Sequence, residues 1–338
     1  MIKKLITLLF FTFLYACHSQ NSQTEQQLYV FGTIVNITIW HDNPAQTQQA
    51  LTSVSNLFEQ MHTQWHAWKP GRLHNINTKL RAGETVQLNQ SETNFFKQVI
   101  NLSRQSNHLF NPAIGELINK WGFHTDTYPI TTPPPSTLDI QQLNNQHLSV
   151  DNLSLNQSTL SSDNRRIWLD FGGIAKGLAV DKAIQIIQQH GIENAIVNAG
   201  GDLRAIGHKQ KRNWHIGIQS PTDKGVVAAL DVLGNEAIFT SGNYQRYKEF
   251  NGQRYAHILD SRTGFPIKDI LSVTVIAKDG ITADAAATAL AVAGLNGWRQ
   301  TAERMGIKHV LMIAQNDQCQ ATPDMLMRLR DVHLSCHH

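Results

Sequence analysis

From Leu28 to Trp40 (LYVFGTIVNITIW), β-branched and aromatic residues recur with partial alternation, which predicts a strand. Gly32 interrupts it and predicts a bulge or a close backbone approach. Over residues 44–61 the period changes: Ala50, Val54, Leu57, Phe58 and Met61 fall on one helical face. A second helical pattern covers 91–107, capped by Ser91, with Phe95, Phe96, Val99, Ile100 and Leu102 inward. Residues 129–165 show no such period. Pro133-Pro134-Pro135 and many Asn, Gln and Ser predict a loop-rich stretch or an insertion.

Past Arg166 the pattern sharpens. Ile167-Trp168-Leu169 leads into Gly172-Gly173, and a helix is predicted from there to about His190. Strands are predicted near 194–198, 213–219, 226–232, 236–240, 254–259 and 271–277. A small-residue helix covers 282–293, another 296–305, and a last strand 308–313. No tandem repeat is present. Strands outnumber helices but both are frequent. The predicted class is therefore α+β, with mixed or antiparallel sheets and packed helices, over one large domain at 28–330 and a tail at 331–338.

Of the 338 residues, 41% are hydrophobic, which supports a substantial core and excludes a disordered chain. The formal net charge is +3, and two of the positive charges are Lys3 and Lys4. These precede an apolar run of twelve, Leu5 to Ala16, shorter than the roughly 20 residues a bilayer span needs. Residues 1–16 thus form a predicted signal peptide. Without them the net charge is about +1, and no basic face points to nucleic acid. Leu14-Tyr15-Ala16-Cys17 resembles a bacterial lipobox, which makes Cys17 the candidate lipidation site. The alternative is an ordinary signal peptide followed by an accidental cysteine. The polar stretch after it, to Gln27, predicts a flexible tether (17–27). The expected location is the periplasmic side of a bacterial cell envelope, lipid-anchored to a membrane. Cys319 and Cys336 then remain; an oxidising compartment would let them pair, and sequence alone leaves this open.

Four constellations could carry chemistry. In Asp170-Phe171-Gly172-Gly173-Ile174-Ala175-Lys176-Gly177, a strand end, two glycines and a helix start with a lysine suit a phosphate. A plain strand–turn–helix junction would look the same. In Thr282-Ala283-Asp284-Ala285-Ala286-Ala287-Thr288, Asp284 and Thr288 share one helix face and make two hard oxygen ligands suited to Mg²⁺. The competing reading makes Thr282 an N-cap and Asp284 a dipole-favoured acid in the first turn. Thr240-Ser241-Gly242-Asn243-Tyr244 precedes His257, placed in a strand that ends in Asp260-Ser261-Arg262-Thr263-Gly264. His257 is an acid/base group, a ligand contact or structural. In Asn198-Ala199-Gly200-Gly201-Asp202 a strand ends in a double glycine and a carboxylate, the pattern of a tight turn.

Together and in this order, these stretches resemble the FAD:protein FMN transferase (ApbE) family. Phe31-Gly32-Thr33, Phe110-Asn111-Pro112-Ala113-Ile114-Gly115 and Trp121-Gly122-Phe123 extend the resemblance over nearly the whole chain from Leu28 to about residue 325. The resemblance implies a T-fold-related enzyme that uses FAD as substrate and Mg²⁺ as cofactor. It moves the FMN moiety onto a Thr hydroxyl of a target protein, such as a flavin subunit of a membrane redox complex, and releases AMP. By resemblance, Asp284, Thr288 and the Gly173 carbonyl would hold the metal. Phe31, Trp68, Leu109, Phe110, Asn111, Asp170, Lys176, His257 and Ile258 would contact FAD. His257 is also the candidate for a group near the reaction.

Departures are mild: Phe31 and Trp68 replace a usual Met and a frequent Tyr, Asn111 a frequent Asp, and Ser261 the Pro of a DPRTG turn. Two rivals remain, an Mg²⁺-dependent FAD pyrophosphatase with water as acceptor, and a non-enzymatic flavin-binding lipoprotein.

Overall fold

The computed structural model describes residues 22–222, 225–244, 246–316 and 318–337. Cys17 and the signal segment lie outside them. One nine-stranded sheet organises the molecule. Its strands are β1 (Ser22–Val30), β2 (Thr33–His41), β3 (Ala195–Ala199), β4 (Asp202–Ile206), β5 (Glu236–Gly242), β6 (Ile270–Ala277), β7 (His309–Ala314), β8 (Cys319–Ala321) and β9 (Cys336–His337). Spatial order follows chain order, and every pairing is antiparallel except the last, β8 with β9. This agrees with the α+β expectation.

Eight helices are present among the described residues: α1 (Pro44–Gln64), α2 (Arg72–Ala82), α3 (Gln90–Gln105), α4 (Gly115–Lys120), α5 (Thr137–Asn144), α6 (Ala175–Gln189), α7 (Gly280–Met305) and α8 (Pro323–Arg328). On β5 and β6, alternate residues serve two cores. Phe239, Val273 and Val275 pack with α1, α3, α6 and α7; Ile238 and Ile276 face a three-stranded sheet (His215–Gln219, Val226–Asp231, Leu329–Arg330) and α8. A satellite core of Leu117, Trp121, Phe123, Ile130, Ile140 and Leu259 lies under the 115–140 segment.

Several sequence expectations need correction. The stretch from Leu28 to Trp40 is two strands, not one. Phe31 and Gly32 sit at φ 58° and 71° and make the hairpin turn, so Gly32 marks neither a bulge nor a strand interior. Most of the expected tether belongs to β1, because β2 satisfies its backbone over the full strand length. Helix α3 is capped by Asn89, not Ser91: the Asn89 side chain accepts from Glu92 N–H at 2.8 Å, and Glu92 returns a bond to Asn89 N–H at 2.9 Å. In α7 the N-cap is Asp279, which accepts from Thr282 N–H at 2.8 Å, so Thr282 is inside the helix. Gly294, at φ 67°, breaks α7 and separates the two helical stretches expected there. The 129–165 region is more ordered than its composition predicts. It holds α5 and a hairpin (Leu153–Asn156, Thr159–Ser162), anchored by the fully buried Ile140, Val150 and Leu160. The terminal segment is also tied down, since Cys336 forms a disulfide with Cys319.

The contact that places the site is the crossing of α6 and α7. Gly177 and Gly280 meet backbone to backbone; a Cβ on Gly177 would stand 2.3 Å from the Gly280 carbonyl oxygen. The two helices cap one another. Asp181 of α6 accepts from Gly280 N–H (2.7 Å) and Ile281 N–H (3.0 Å), and Asp284 of α7 accepts from Gly177 N–H (2.9 Å). Each carboxylate satisfies donors that a helix start leaves unpaired. Gly177→Ala is expected to force the helices apart and cost about 1–3 kcal/mol of stability. Urea unfolding checks this; an unchanged midpoint would contradict the close approach.

Candidate active site

A cleft of about 970 Å³ opens beside the α6–α7 crossing. All twelve residues singled out for FAD or metal line it, brought there by six separate parts of the chain. Phe31 comes from the β1–β2 turn and Trp68 from the loop after α1. Leu109, Phe110 and Asn111 come from the loop after α3. Asp170, Gly173 and Lys176 lie on the turn into α6. His257 and Ile258 come from a loop and Asp284 and Thr288 from α7.

One wall is aromatic. Phe31 packs against Phe58 and His62 at ring distances of 5.7 and 5.9 Å. His66 meets Trp68 edge-on at 4.1 Å, and His124 stacks on Trp68 at 4.5 Å with 15° between planes. His62 and His66, spaced like zinc ligands but lacking the zinc-protease glutamate, are thus part of a ring stack. Burial pushes the His66 pKa down to about 4, with Lys69 adding to the effect, so this ring is neutral at ordinary pH.

The opposite side is polar. Lys176 pairs with Asp202, whose second oxygen accepts from Thr240 N–H at 2.9 Å. Burial opposes the lysine's charge, yet Asp202 and Asp284 together hold its pKa above the ordinary value. Asp202 belongs to the Asn198–Asp202 stretch, which is more than a tight turn. It gives the cleft lysine its counter-ion. Thr288 Oγ1 lies 3.4 Å from Ser241 Oγ, and a Cβ on Gly173 would stand 3.0 Å from Thr288 Oγ1. The glycine therefore lets the turn backbone reach the hydroxyl.

The helix start does not present a fan of free donors. Gly172 N–H goes to Asp170 Oδ1 (2.7 Å), Ile174 and Ala175 N–H to the Phe171 carbonyl, and Gly177 N–H to Asp284. The charged group this turn offers to the cleft is Lys176. Burial would raise the Asp170 carboxyl, but His124, Gly172 N–H and Arg246 hold it below its usual value. Asn111 is tied up internally, donating to the Leu148 carbonyl (2.8 Å) and accepting from Ala113 N–H (3.0 Å).

His257 lies in the loop between the short strands Gln253–Ala256 and Leu259–Asp260, not within a strand. Its Nδ1 donates to the Arg246 carbonyl at 2.8 Å, because a carbonyl can only accept. Burial, then the Arg246 charge, lower its pKa to about 4. The ring is neutral and its Nε2 carries the lone pair.

Among the described residues no cluster of three or more His, Cys, Asp or Glu side chains suits a metal. A cation here would depend on one carboxylate with hydroxyl and carbonyl oxygens, a donor set that suits Mg²⁺. Asp284 fits that role. Burial pushes its pKa up to about 7; Lys176 pulls it down and the Asp202 charge raises it. Lys176 is already engaged by Asp202, so Asp284 is a buried acid short of positive charge.

Comparison with known proteins shows the family. The model of the ApbE family matches residues 31–311. The chain belongs to the ApbE family. A Rhodobacter capsulatus relative of this ApbE chain, named FAD:protein FMN transferase, is 36% identical over 308 residues, covering 91% of this chain and 58% of that protein. A Vibrio cholerae protein of the same name is 31% identical over 318 residues, covering 93% and 94%. The chain thus spans little more than half of the first relative and nearly all of the second. The solved ApbE protein of Thermotoga maritima superposes with a TM-score of 0.83 at 29% identity, over 92% of this chain and all of that one.

The raised acid in this ApbE cleft has a measurable consequence. From its ordinary 3.8, the Asp284 pKa rises to about 7 on folding, so stability falls as pH climbs through that window and stays low above it. In metal-free buffer, Asp284→Asn is expected to exceed the parent in stability at pH 8, by up to about 4 kcal/mol, and to match it at pH 4. Urea unfolding at the two pH values decides; a variant no more stable at pH 8 would refute the strained carboxylate.

Proposed function

We propose that this chain transfers the FMN moiety of FAD to a hydroxyl of a target protein, with AMP as the leaving group. The observation that carries the reading is the two-sided cleft: an aromatic wall for ring systems facing a Lys–Asp–Asp–Thr group for phosphates, in a space of about 970 Å³. The names of the family relatives point to the same reaction.

Balanced, the step forms one phosphoester bond and breaks one pyrophosphate bond. The oxygen of the acceptor, a Thr hydroxyl, bonds to the FMN phosphorus; the bridging oxygen departs with AMP; the hydroxyl proton is released. Lys176 is the proposed cation for the charge that gathers on the phosphates, and a fixed cation there would stabilise the transition state more than the ground state. Trp68 and Phe31 offer faces to the adenine or isoalloxazine ring. His257 Nε2 is an unprotonated nitrogen within the cleft and is the proposed proton acceptor. Asp284, Thr288 and the Gly173 carbonyl would hold Mg²⁺, which when bound supplies positive charge to the phosphate oxygens.

The acceptor is proposed to be a flavin subunit of a membrane redox complex, met on the periplasmic side of the envelope. A lipid on Cys17 would hold the enzyme there. The Cys319–Cys336 disulfide suits such an oxidising compartment. The same site with water as acceptor would be a pyrophosphatase.

The test incubates the full chain with FAD, Mg²⁺ and a Thr-bearing acceptor domain, then reads flavin fluorescence in a denaturing gel. A fluorescent acceptor band that EDTA abolishes is expected, and Asp284→Ala should weaken it roughly a hundredfold or more. Free FMN and AMP without a band would favour hydrolysis; intact FAD would reject both. Full activity in Asp284→Ala would remove the metal assignment.

A further inference from the structure

His124 stands outside the motifs and has no role in the reading above. Its Nε2 donates to Asp170 Oδ2 at 2.9 Å, and its ring lies flat on Trp68. Its other aromatic neighbour, Trp168, is 5.0 Å away. The side chain is only 1% exposed. Asp170 in turn uses its other oxygen to hold Gly172 N–H, next to Gly173. One imidazole therefore touches the aromatic wall and, through a single carboxylate, the glycine turn on the phosphate side.

Fold stability does not account for this histidine. Nε2 gives its hydrogen to a carboxylate, and the other ring nitrogen, Nδ1, is buried with no partner among the described residues. An unpaired buried polar atom costs stability, and so calls for an explanation outside the fold. The segment around His124 is pinned at both ends. Lys248 Nζ donates to the carbonyls of Trp121 (2.8 Å) and Pro133 (3.0 Å), and Arg246 donates to the Phe123 carbonyl (2.5 Å). Such bracing limits how far the ring can move.

We infer that His124 is a positioning residue that sets the Trp68 ring and the Asp170 turn at a fixed separation, so that the ring system and the pyrophosphate of one dinucleotide are engaged together. The inference rests on FAD being the substrate, as proposed above. It divides His124 into two separable contacts. Stacking orders the wall and governs dinucleotide affinity; the bond to Asp170 orders the turn and governs turnover.

Two substitutions separate them. His124→Phe keeps a ring on Trp68 and removes the donor to Asp170. His124→Gln keeps a donor at the reach of Nε2 and removes the ring. FAD affinity is measured on the full chain in EDTA by quenching of flavin fluorescence, without turnover; kcat and KM follow from transfer to the acceptor with Mg²⁺. His124→Gln is expected to bind FAD roughly tenfold more weakly with kcat within about twofold of the parent. His124→Phe is expected to lose roughly tenfold or more in kcat with FAD affinity within about threefold. Either variant matching the parent in both parameters overturns the assignment, as does an equal loss in both, which marks simple packing. Each variant stands alone if the other fails to fold. A parent chain that binds no FAD would defeat the transferase reading itself, an outcome distinct from parent binding with insensitive variants.

Discussion

Two carboxylates exchanged between two helices hold the functional part of this molecule together. Asp181 of α6 closes the start of α7, and Asp284 of α7 closes the start of α6. The exchange requires the helices to touch, and only glycine at 177 and 280 lets the backbones come that close. Arg204 neutralises Asp181 at 2.6 Å. Asp284 has no salt bridge of its own among the described residues, and the lysine that acts on it, Lys176, is paired with Asp202. Where the fold supplies a counter-charge to one cap and leaves the other wanting, the second cap becomes the place where a cation gains most. The acid that caps the start of α6 is thus also the one proposed to hold a cation.

Much of this was legible in the sequence where local chemistry decides the outcome. The helical stripe through Ala50, Val54, Phe58 and Met61 is buried as its spacing predicts, since an apolar face has to find a core. The Gly172–Lys176 turn and the Asp284/Thr288 face could be marked because each lies within one stretch of chain. What stayed hidden was nonlocal. Asp202 looked like part of a turn, because nothing in its own neighbourhood says that Lys176 will meet it. His124 carried no signal at all, since its meaning comes from Asp170 and Trp68, both distant in sequence. Caps were misplaced by two or three residues. Asn89 and Asp279 lie just before polar residues that are equally good caps on propensity alone, and the choice is made by which backbone turns first.

The aromatic wall shows how composition bends to position. Phe31 occupies a positive-φ turn, an uncommon place for a bulky residue, and is kept there by packing on Phe58 and His62. A neutral His66 lies against Trp68 without bringing a charge to the stack. The wall is thus built of aromatic and imidazole rings, while Lys176, Asp202 and Asp284 gather across the cleft. A ligand with planar rings at its ends and phosphates between them meets both surfaces at once.

The polar β1 has a bearing on how the chain assembles. The β1–β2 hairpin is made early, but the next strand in the sheet begins only at Ala195, so a long loop must close before β2 is covered. Until then the hairpin exposes a row of unpaired backbone groups, the usual start of edge-to-edge aggregation. A first strand built of Gln, Glu and Thr, SQTEQQ, offers little for another chain to grip. The composition that makes this strand resemble a tether guards the outer edge of β1, which among the described residues is paired on one side only, by β2.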